Sequence, residues 1–496
     1  MKEAFELILL ATYIVPAGIL LLFGINLYTM LVLFFRRRKQ IASEIEDIRS
    51  TFHERFTVND LPHVVTQIPV YNEYNVVKRI MYAAANMDYP LEKHTLQILD
   101  DSTDDTCRLI DEVAESLKRK GHRIEVIRRA PRIGFKAGAL ENGMQKTDAE
   151  YFAIFDADFV PPKDFLKQTI PVMMLRPKVG IVQARWGHLN ANRSLLTQAQ
   201  AIGIDGHFAI EQPARAWNKL FMNFNGTAGL WRRRAIEEGG GWQHDTLTED
   251  MDLSYRSQLA GWKPFFLWDH EVPAELPESI NAFKSQQFRW AKGSIQTAIK
   301  LLPRVFKSDH SLLAKIQSVF HMTHYLIHPV MLWLSIMALP VFVLTRFRHH
   351  PATFTTLFGI IFISAISPSI LYSASQFLLH KQRWKRLRCL PYLSTMGVGI
   401  AISNSRAVFE AIVGKSSEFV RTPKRGDNPI VKYAIKMPYW AIIEIVLGIY
   451  CFISFYYYLH FREYLIGPFL FLYACGFTSV GLLSLIHTFV EYRHTR

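Results

Sequence analysis

Hydrophobic residues are concentrated in five long runs, and these runs set a central region apart from its flanks. Each run has the length that a helix needs to cross a bilayer, about 20 apolar residues. The runs span residues 5–35, 325–344, 354–379, 439–458 and 466–487. We therefore predict five transmembrane helices. A cleaved signal peptide is the alternative for the first run, but that run is longer than a signal core and lacks a clear small-residue cleavage site.

Between the first two runs, short apolar stretches alternate with amphipathic ones. The apolar stretches predict strands at residues 64–70, 95–99, 124–127, 151–155 and 179–183. The intervening segments, such as residues 74–87 and 107–118, have helical periodicity. Strand–helix alternation at this spacing predicts an α/β fold with a doubly wound, mainly parallel sheet.

These patterns predict four parts along the chain. They are a transmembrane helix at residues 1–36, a cytosolic connector at 37–60, a soluble domain inserted between transmembrane helices at 61–300, and a helical membrane domain at 301–496. Within the last part, residues 392–413 are less uniformly apolar and include Arg406 and Glu410. We interpret that segment as a helix lying in the membrane interface.

The chain is basic, with 57 lysines and arginines against 43 aspartates and glutamates, a formal net charge of +14. The basic residues cluster beside apolar runs, at residues 36–39 and 380–388. This placement fits the excess of Lys and Arg on cytoplasmic loops and the attraction of anionic lipids, and it disfavours nucleic acid as a partner. With five crossings, both clusters and residues 61–300 fall on the cytosolic side. We therefore expect a multi-pass protein of the plasma (inner) membrane.

Two acidic clusters directly follow predicted strands: Asp100-Asp101 and Asp156-Ala157-Asp158. In open α/β sheets, ligands bind at the carboxyl ends of the strands, which is where these carboxylates would lie. Magnesium is commonly held by one or two carboxylates plus substrate phosphates, and an extended segment places Asp156 and Asp158 on the same side. A DxD sequence alone is more typical of a solvated loop, so its context decides.

That context is a set of motifs in a fixed order. Residues 68–73 read IPVYNE, 134–140 GFKAGAL, 183–186 QARW, 224–229 FNGTAG, 248–250 TED and 286–290 QQFRW. In this combination the chain resembles the membrane-bound family 2 glycosyltransferases of the cellulose synthase superfamily. Within that superfamily it most resembles the cellulose synthase-like A group, the plant mannan and glucomannan synthases. The resemblance is dense over residues 61–300 and looser in the membrane part, and it implies a GT-A type fold.

The resemblance implies a site for a nucleotide-sugar donor. Asp100 and Asp101 correspond to the aspartate motif that holds the base and the ribose, and which of the two makes the key contact stays open. Lys136 lies where the family has a nucleotide-contacting lysine, and Glu73 belongs to the same site. UDP-glucose and GDP-mannose are both plausible donors, because motifs do not reveal pocket geometry.

The resemblance also implies the chemistry. Asp156 and Asp158 match the DxD that carries Mg²⁺ or Mn²⁺ on the donor diphosphate, where a metal neutralises charge on the leaving group. Asp250 matches the catalytic base that takes the proton from an acceptor hydroxyl. One base and one assisted leaving group describe a single displacement with inversion.

Gln286, Arg289 and Trp290 match the family's QxxRW motif, which borders the acceptor site, and Glu249 is assigned to the same site. An arginine can pair with phosphate, and a tryptophan offers a flat face to a sugar ring. Taken alone, Arg289 and Trp290 could equally be a surface arginine and an aromatic membrane anchor.

A further segment, residues 415–437, resembles the gating loop of cellulose synthases, whose pattern is F-x-V-T-x-K. Phe419, Thr422 and Lys424 keep the spacing of that pattern, whereas Arg421 stands where the family has valine. The resemblance implies that the loop closes over the diphosphate when donor binds. The alternative is a basic cytosolic loop that answers to lipid charge.

Three functions are compatible with the sequence. A processive synthase would lengthen a β-glycan and pass it through its own membrane helices. A non-processive transferase would add one sugar to a membrane lipid. An inactive relative serving as a scaffold is disfavoured, because every catalytic position carries a competent side chain.

Two features of the membrane part have structural interpretations. His321, His324 and His328 lie at helical spacing, and we expect them to meet lipid headgroups rather than a metal. Glu444 lies inside an apolar run, where an exposed charge is costly, so we expect it to face protein or a polar path.

Overall fold

The protein consists of a long first helix, an α/β region and a helical region. The structure is a computed structural model and describes residues 2–344, 351–415, 439–462, 464 and 466–495. The α/β region contains a seven-stranded sheet. Its strands are β1 Val64–Val70, β2 His94–Asp100, β3 Arg123–Arg128, β4 Tyr151–Ile154, β5 Val179–His188, β6 Gly229–Arg232 and β7 Lys263–Ala274. The first five confirm the predicted strands, whereas the apolar pattern does not predict β6 and β7.

The helices follow the same chain order. They are α1 Lys2–Arg55, α2 Tyr74–Ala85, α3 Thr106–Arg119, α4 Phe135–Met144, α5 Phe165–Leu175, α6 Leu195–Gly206, α7 Gln212–Trp217, α8 Arg233–Glu238, α9 Glu249–Leu259, α10 Ile280–Lys307, α11 Leu312–Thr323, α12 Ile327–Leu344, α13 Pro351–Leu379, α14 Arg383–Leu387, α15 Leu390–Gly399, α16 Ala401–Ile412, α17 Trp440–His460 and α18 Gly467–Thr495. A π-helical turn, His207–Glu211, joins α6 to α7.

The strand order across the sheet is β3-β2-β1-β4-β6-β5-β7. Neighbouring strands are parallel except for β6, which is antiparallel to both β4 and β5. Both faces of the centre are covered, since Val64 and Val65 are both fully buried although successive side chains point to opposite faces. Strands β2 and β3 lie on one side of β1, and β4 lies on the other side. The order of the strands therefore reverses between β1 and β4, and the carboxyl ends of these two strands are the expected ligand edge.

The first helix does not end at the membrane boundary predicted from the sequence. It continues without a break to Arg55, so most of the predicted connector, residues 37–60, is part of the same helix. Its second half packs on the α/β region, with the Phe34 ring stacked 5.4 Å from the Trp217 ring. Arg49 Nη2 also lies 2.7 Å from Asp269 Oδ2. A single continuous helix therefore connects the apolar region to the α/β region.

Among the described residues, five helices are long and apolar enough to cross a membrane, in agreement with the predicted number. They are Ala4–Arg55, Leu312–Leu344, Gly359–Leu379, Trp440–His460 and Gly467–Val490. The segment predicted as one interfacial helix is two helices, α15 and α16, separated at Ile400. Glu444 faces protein as expected, because its Oε1 lies 2.5 Å from Lys284 Nζ of α10.

The expectation for the three histidines is wrong for His321 and His328, which are buried in the protein. All three histidines line a cavity. His321 contacts the Tyr255 hydroxyl at 2.7 Å, and His328 contacts the Asn404 amide at 2.9 Å. Helical spacing identifies a shared face, but packing of that helix against its neighbours decides whether the face meets lipid or the interior.

Candidate active site

A cavity of about 190 Å³ opens at the carboxyl edge of the sheet. Ten of the eleven residues proposed for the donor, metal, acceptor and catalytic sites line it: Glu73, Asp101, Lys136, Asp156, Asp158, Glu249, Asp250, Gln286, Arg289 and Trp290. Asp100 does not, because it is buried with its Oδ2 2.8 Å from Arg128 Nε. The structure thus places Asp101, rather than Asp100, at the cavity wall.

The end of the cavity next to Asp101 is formed by cations and an aromatic ring. Arg129 donates to both carboxylate oxygens of Asp101, at 2.9 and 2.7 Å. The Arg132 guanidinium lies 3.5 Å from the centre of the Tyr71 ring. A planar cation above a ring is a favourable arrangement and leaves flat surfaces that suit a nucleobase. Both arginines lie between β3 and the GFKAGAL motif, outside the motifs that predict the site.

Lys136 occupies the middle of the cavity, in the first turn of α4. Its Nζ lies 2.5 Å from Asp156 Oδ1 and 2.9 Å from the Gly226 carbonyl oxygen. Burial alone would lower the pKa of Lys136, but the charges of Asp156 and Glu249 outweigh it and raise that pKa. The ammonium group therefore keeps its charge and can neutralise an anionic ligand.

Gly226 of the FNGTAG motif permits the carboxylates and Lys136 to converge. Its φ of +84° belongs to the left-handed region. A Cβ at this position would lie 2.8 Å from Asp250 Oδ2 and 3.2 Å from Lys136 Nζ. Only glycine avoids both the strain and the close contacts, so this motif sets the shape of the cavity.

Asp156 and Asp158 fit a divalent cation in their chemistry. They lie on the cavity wall, on either side of Ala157. One carboxylate oxygen of Asp156 contacts a cation, the Lys136 ammonium group. Among the described residues no group of three or more His, Cys, Asp or Glu is arranged to hold a metal. Two carboxylates alone leave most ligands of Mg²⁺ or Mn²⁺ to the diphosphate and water, as is usual for magnesium.

Asp250 and Glu249 begin α9 and lie in a buried, acidic environment. Burial raises the pKa of Asp250 to about 7, and the negative charge of Glu249 adds to the shift. Burial also raises the pKa of Glu249. The Met251 N–H donates to Asp250 Oδ1 at 2.8 Å, which leaves Oδ2 directed toward Gly226. A carboxylate with a pKa near neutral is well suited to accept a proton at physiological pH.

The QxxRW motif lies in α10, which forms the opposite wall. Arg289 is close enough to interact electrostatically with Glu249 and Asp156, although burial lowers its pKa. The helix approaches the TED loop closely at Gly293, where a Cβ would lie 2.8 Å from the Thr248 backbone nitrogen. The position of α10, which carries the QxxRW motif, is therefore fixed relative to Thr248 and Asp250.

The chain is similar to known glycosyltransferases over the part that forms this site. A family model described as "Glycosyltransferase like family 2" matches residues 62–293. The Glucomannan 4-beta-mannosyltransferase 2 of Arabidopsis thaliana is 33% identical over 411 residues, which are 81% of this chain and 74% of that protein. The chain belongs to glycosyltransferase family 2. Its sheet is accordingly of the GT-A type, as the motifs predict, and the predicted resemblance to the mannan and glucomannan synthase group is confirmed.

A second curated relative and a solved structure match different shares of the chain. The Probable glucomannan 4-beta-mannosyltransferase 7 of Oryza sativa subsp. japonica is 44% identical over 266 residues, 53% of this chain but only 46% of that protein. This chain thus spans less than half of the rice protein. A solved mannosyltransferase from Pyrobaculum calidifontis, in complex with GDP-Man and Mn²⁺, aligns with 80% of this chain and 100% of its own. The sequence identity with that mannosyltransferase is 16% and the TM-score is 0.47.

Two residues at the end of β5 also line the cavity, although the sequence motifs predict no role for them. Trp186, the last residue of QARW, lines the cavity and stacks on Phe208 with 4.7 Å between ring centres. His188 lines the same cavity two residues later. Their position at the carboxyl end of a predicted strand is a signal that could have identified them.

A second cavity, of about 560 Å³, leads from the site toward the membrane helices. The two cavities share six lining residues: Trp186, Ile204, Asn225, Thr248, Asp250 and Trp290. Beyond them the second cavity reaches Leu20 of α1, Leu334 of α12 and Leu470 of α18. Asp250 therefore stands at the junction between a charged cavity and a larger, less polar one. The gating-loop residues Phe419, Thr422 and Lys424 lie outside the described residues.

Proposed function

We propose that this protein transfers a hexose from a nucleoside diphosphate sugar to a hydroxyl group of a growing β-glycan. One observation carries the proposal: Asp250, Lys136, Asp156 and Asp158 line one cavity, so a proton acceptor and groups for a diphosphate converge there. GDP-mannose is the donor we favour, because the curated relatives include glucomannan 4-beta-mannosyltransferases. UDP-glucose is the donor to test beside it.

In this mechanism Asp250 accepts the proton of the acceptor hydroxyl while that oxygen attacks the anomeric carbon. Its raised pKa, near 7, makes the carboxylate a stronger base than an exposed aspartate. The bond from the anomeric carbon to the diphosphate breaks as the new bond forms. A single displacement of this kind inverts the configuration and gives a β-linked product from an α-linked donor.

The departing diphosphate is stabilised from the opposite side of the cavity. Lys136 keeps its positive charge, and Arg289 lies on the facing helix. Mg²⁺ or Mn²⁺, held by Asp156 and Asp158, would supply a further positive charge at the diphosphate. Fixed positive charges in a site shielded from water stabilise developing negative charge more strongly than they would in water.

The second cavity favours a processive reaction over transfer of a single sugar. It begins at Asp250 and Trp290, continues between membrane helices, and includes aromatic residues such as Tyr325 and Tyr372. Aromatic faces suit the apolar faces of sugar rings. We therefore propose that the product passes through this cavity while residues 61–300 form a catalytic domain at the cytosolic face. Residues 301–496 would then form the membrane domain.

The test uses the full-length protein in lipid nanodiscs with radiolabelled GDP-mannose or UDP-glucose and Mn²⁺. We expect a high-molecular-weight product from GDP-mannose that an endo-β-mannanase degrades, and no product when EDTA is present. A single organic-extractable glycolipid would instead support the non-processive alternative. Absence of any transfer from both donors, while the protein remains folded, would contradict the proposal.

A further inference from the structure

A buried carboxylate next to the catalytic cavity joins the α/β region to the membrane helices. Asp205, near the end of α6, is 2% exposed. Its Oδ1 lies 2.8 Å from His188 Nε2. Its Oδ2 receives contacts from Gln376 Nε2 at 3.0 Å, His380 Nε2 at 3.0 Å and Arg386 Nη2 at 3.2 Å. Asp205 thus has one partner in the cavity wall, His188, and three partners in α13 and the segment that follows it.

This carboxylate remains ionised in the fold. Burial would raise the pKa of Asp205, but the charge of His188 and hydrogen bonds from His188 and His380 outweigh it and hold the pKa well below its usual value. A buried charge is tolerated only where hydrogen bonds and opposite charges satisfy it. The arrangement around Asp205 therefore depends on the position of Gln376, His380 and Arg386.

The contact reaches the catalytic cavity through His188. His188 ends β5, two residues after Trp186, and both side chains line the cavity. Asp205 holds the Nε2 side of the His188 ring, so a shift of Asp205 would change the wall of the donor and acceptor site. His188 is thus positioned by a residue whose other partners lie in α13, in α14 and in the turn between them.

The outer face of this junction is a basic and aromatic surface, which we call the α14 surface. Lys381, Arg383, Lys385 and Arg388 are exposed on it. Trp384 is 69% exposed and its ring packs edge-on against Phe377 at 5.1 Å. No aspartate or glutamate occurs in the sequence between Asp309 and Glu410, so no nearby acidic residue of this segment neutralises it. The surface directly follows α13, one of the five candidate spans.

We propose that the α14 surface binds the headgroups of anionic phospholipids and that this binding positions His188 in the catalytic cavity through Arg386 and Asp205. A cluster of Lys and Arg next to a span is attracted to anionic lipid, and an interfacial tryptophan favours the headgroup level. Lipid bound to the outer face of α14 holds the helix in place, so that Arg386 on its inner face stays in contact with Asp205. The effect on the rate rests on the proposed transferase function, whereas the lipid contact does not.

The first test measures the lipid contact without using the reaction. The full-length protein is placed in nanodiscs of phosphatidylcholine alone or with about 30% phosphatidylglycerol, a composition that gives a negative surface. Hydrogen–deuterium exchange is then followed for residues 376–389 and 183–190. We expect the anionic lipid to slow exchange in both segments. Replacing Lys381, Arg383, Lys385 and Arg388 together with Gln should abolish the effect.

The matched control replaces Arg36 and Lys39, exposed basic residues of α1, with Gln. These residues lie beside another span but have no contact with Asp205, so the response of residues 376–389 should persist. An equal loss of response in this control would show a general charge effect and would overturn the proposal. No difference in exchange between the two lipid compositions would also overturn it.

The second test measures donor kinetics in the same nanodiscs. Anionic lipid should lower the donor KM of the unchanged protein about threefold or more with little change in kcat, since His188 contributes to binding geometry. Asp205→Asn should show the high KM in both compositions and lose the lipid response. If Asp205→Asn fails to fold, Arg386→Gln, which leaves the other two donors on Oδ2, serves instead. A full lipid response in Arg386→Gln would contradict the coupling, whereas absence of transfer in every sample would count against the proposed function.

Discussion

The proposed donor end of the first cavity and the cavity among the candidate membrane helices meet at Asp250, yet they are built from different side chains. The donor end is lined by charged residues in contact with one another, such as Asp101 with Arg129 and Lys136 with Asp156. Apart from Asp250, the charged residues that line the larger cavity are Glu211 and Arg215. Most of the rest are aromatic, aliphatic or histidine side chains.

This difference follows the charge of the proposed ligands. A nucleoside diphosphate is anionic, and fixed cations held in place before it binds can stabilise its charge. A glycan is neutral and must move, so strongly charged walls would bind its hydroxyl groups without releasing them. Asp250 lines both cavities, a position that suits the proposed base, which must act on the acceptor while the donor diphosphate leaves.

The strongest way to break the comparison is to remove the base at the boundary. Asp250→Asn keeps the shape of the side chain but cannot accept a proton, and we expect kcat to fall by about 10²–10⁴-fold. Binding of the nucleoside diphosphate, measured by calorimetry with Mn²⁺, should persist because the donor end is intact. Retention of more than a tenth of the activity would exclude Asp250 as the base.

The next prediction concerns the stability of the helical region, where Lys284 and Glu444 form a buried ion pair. Lys284→Met leaves Glu444 without its partner at 2.5 Å, and we expect the free energy of unfolding to fall by about 3–5 kcal/mol. The double variant Lys284→Met/Glu444→Leu should recover most of the loss, because it removes both charges. Thermal melts in detergent measure both effects. Arg108→Met, which breaks an exposed pair with Glu112, is the control and should change little.

Removing the central cation of the donor end gives the next effect. Lys136→Met should lower kcat/KM by about 10²–10³-fold, because one fixed positive charge at the leaving group is lost. Steady-state kinetics with varied donor measure it. Lys167→Met, which affects an exposed pair with Asp88, should leave kcat/KM unchanged. A similar loss in both variants would show that the effect is not local to the cavity.

The smallest effect concerns the acidity of Asp250. Its pKa is about 7 because of burial and, next, the charge of Glu249, so Glu249→Gln should lower that pKa. The base works only when ionised, so kcat/KM falls as the pH drops through the pKa. The acidic limb of the pH profile should therefore move to lower pH, by up to about one unit. Glu237→Gln, an exposed change, should leave the limb in place, and a limb that moves upward in Glu249→Gln would contradict this account.

The sequence predicted the local features well. The strand at residues 64–70 agrees residue for residue with β1, and the five apolar runs correspond to the five candidate spans. Such features depend on periodicity within a short window, which the chain carries in its own order. The antiparallel strand β6 was not predicted, because its pairing with β4 and β5 depends on segments far away in the chain.

Motifs also predicted which residues form the cavity, but not how each side chain is directed. Asp100 and Asp101 are adjacent in sequence, and only Asp101 lines the cavity, since Arg128 holds Asp100 elsewhere. His188 and Arg386 are separated by 197 intervening residues and share one aspartate. A pairing of that kind leaves no local signal.

The apolar runs and the acidic motifs by themselves predicted an α/β domain of the family 2 type between helices long enough to cross a membrane. Only the tertiary structure decided that Asp250 lies between a charged cavity and a larger, less charged one, and that Asp205 contacts both His188 and α13. The physical reason is range: hydrophobic periodicity acts between near neighbours, whereas side-chain direction, burial and pKa depend on which distant segments pack together.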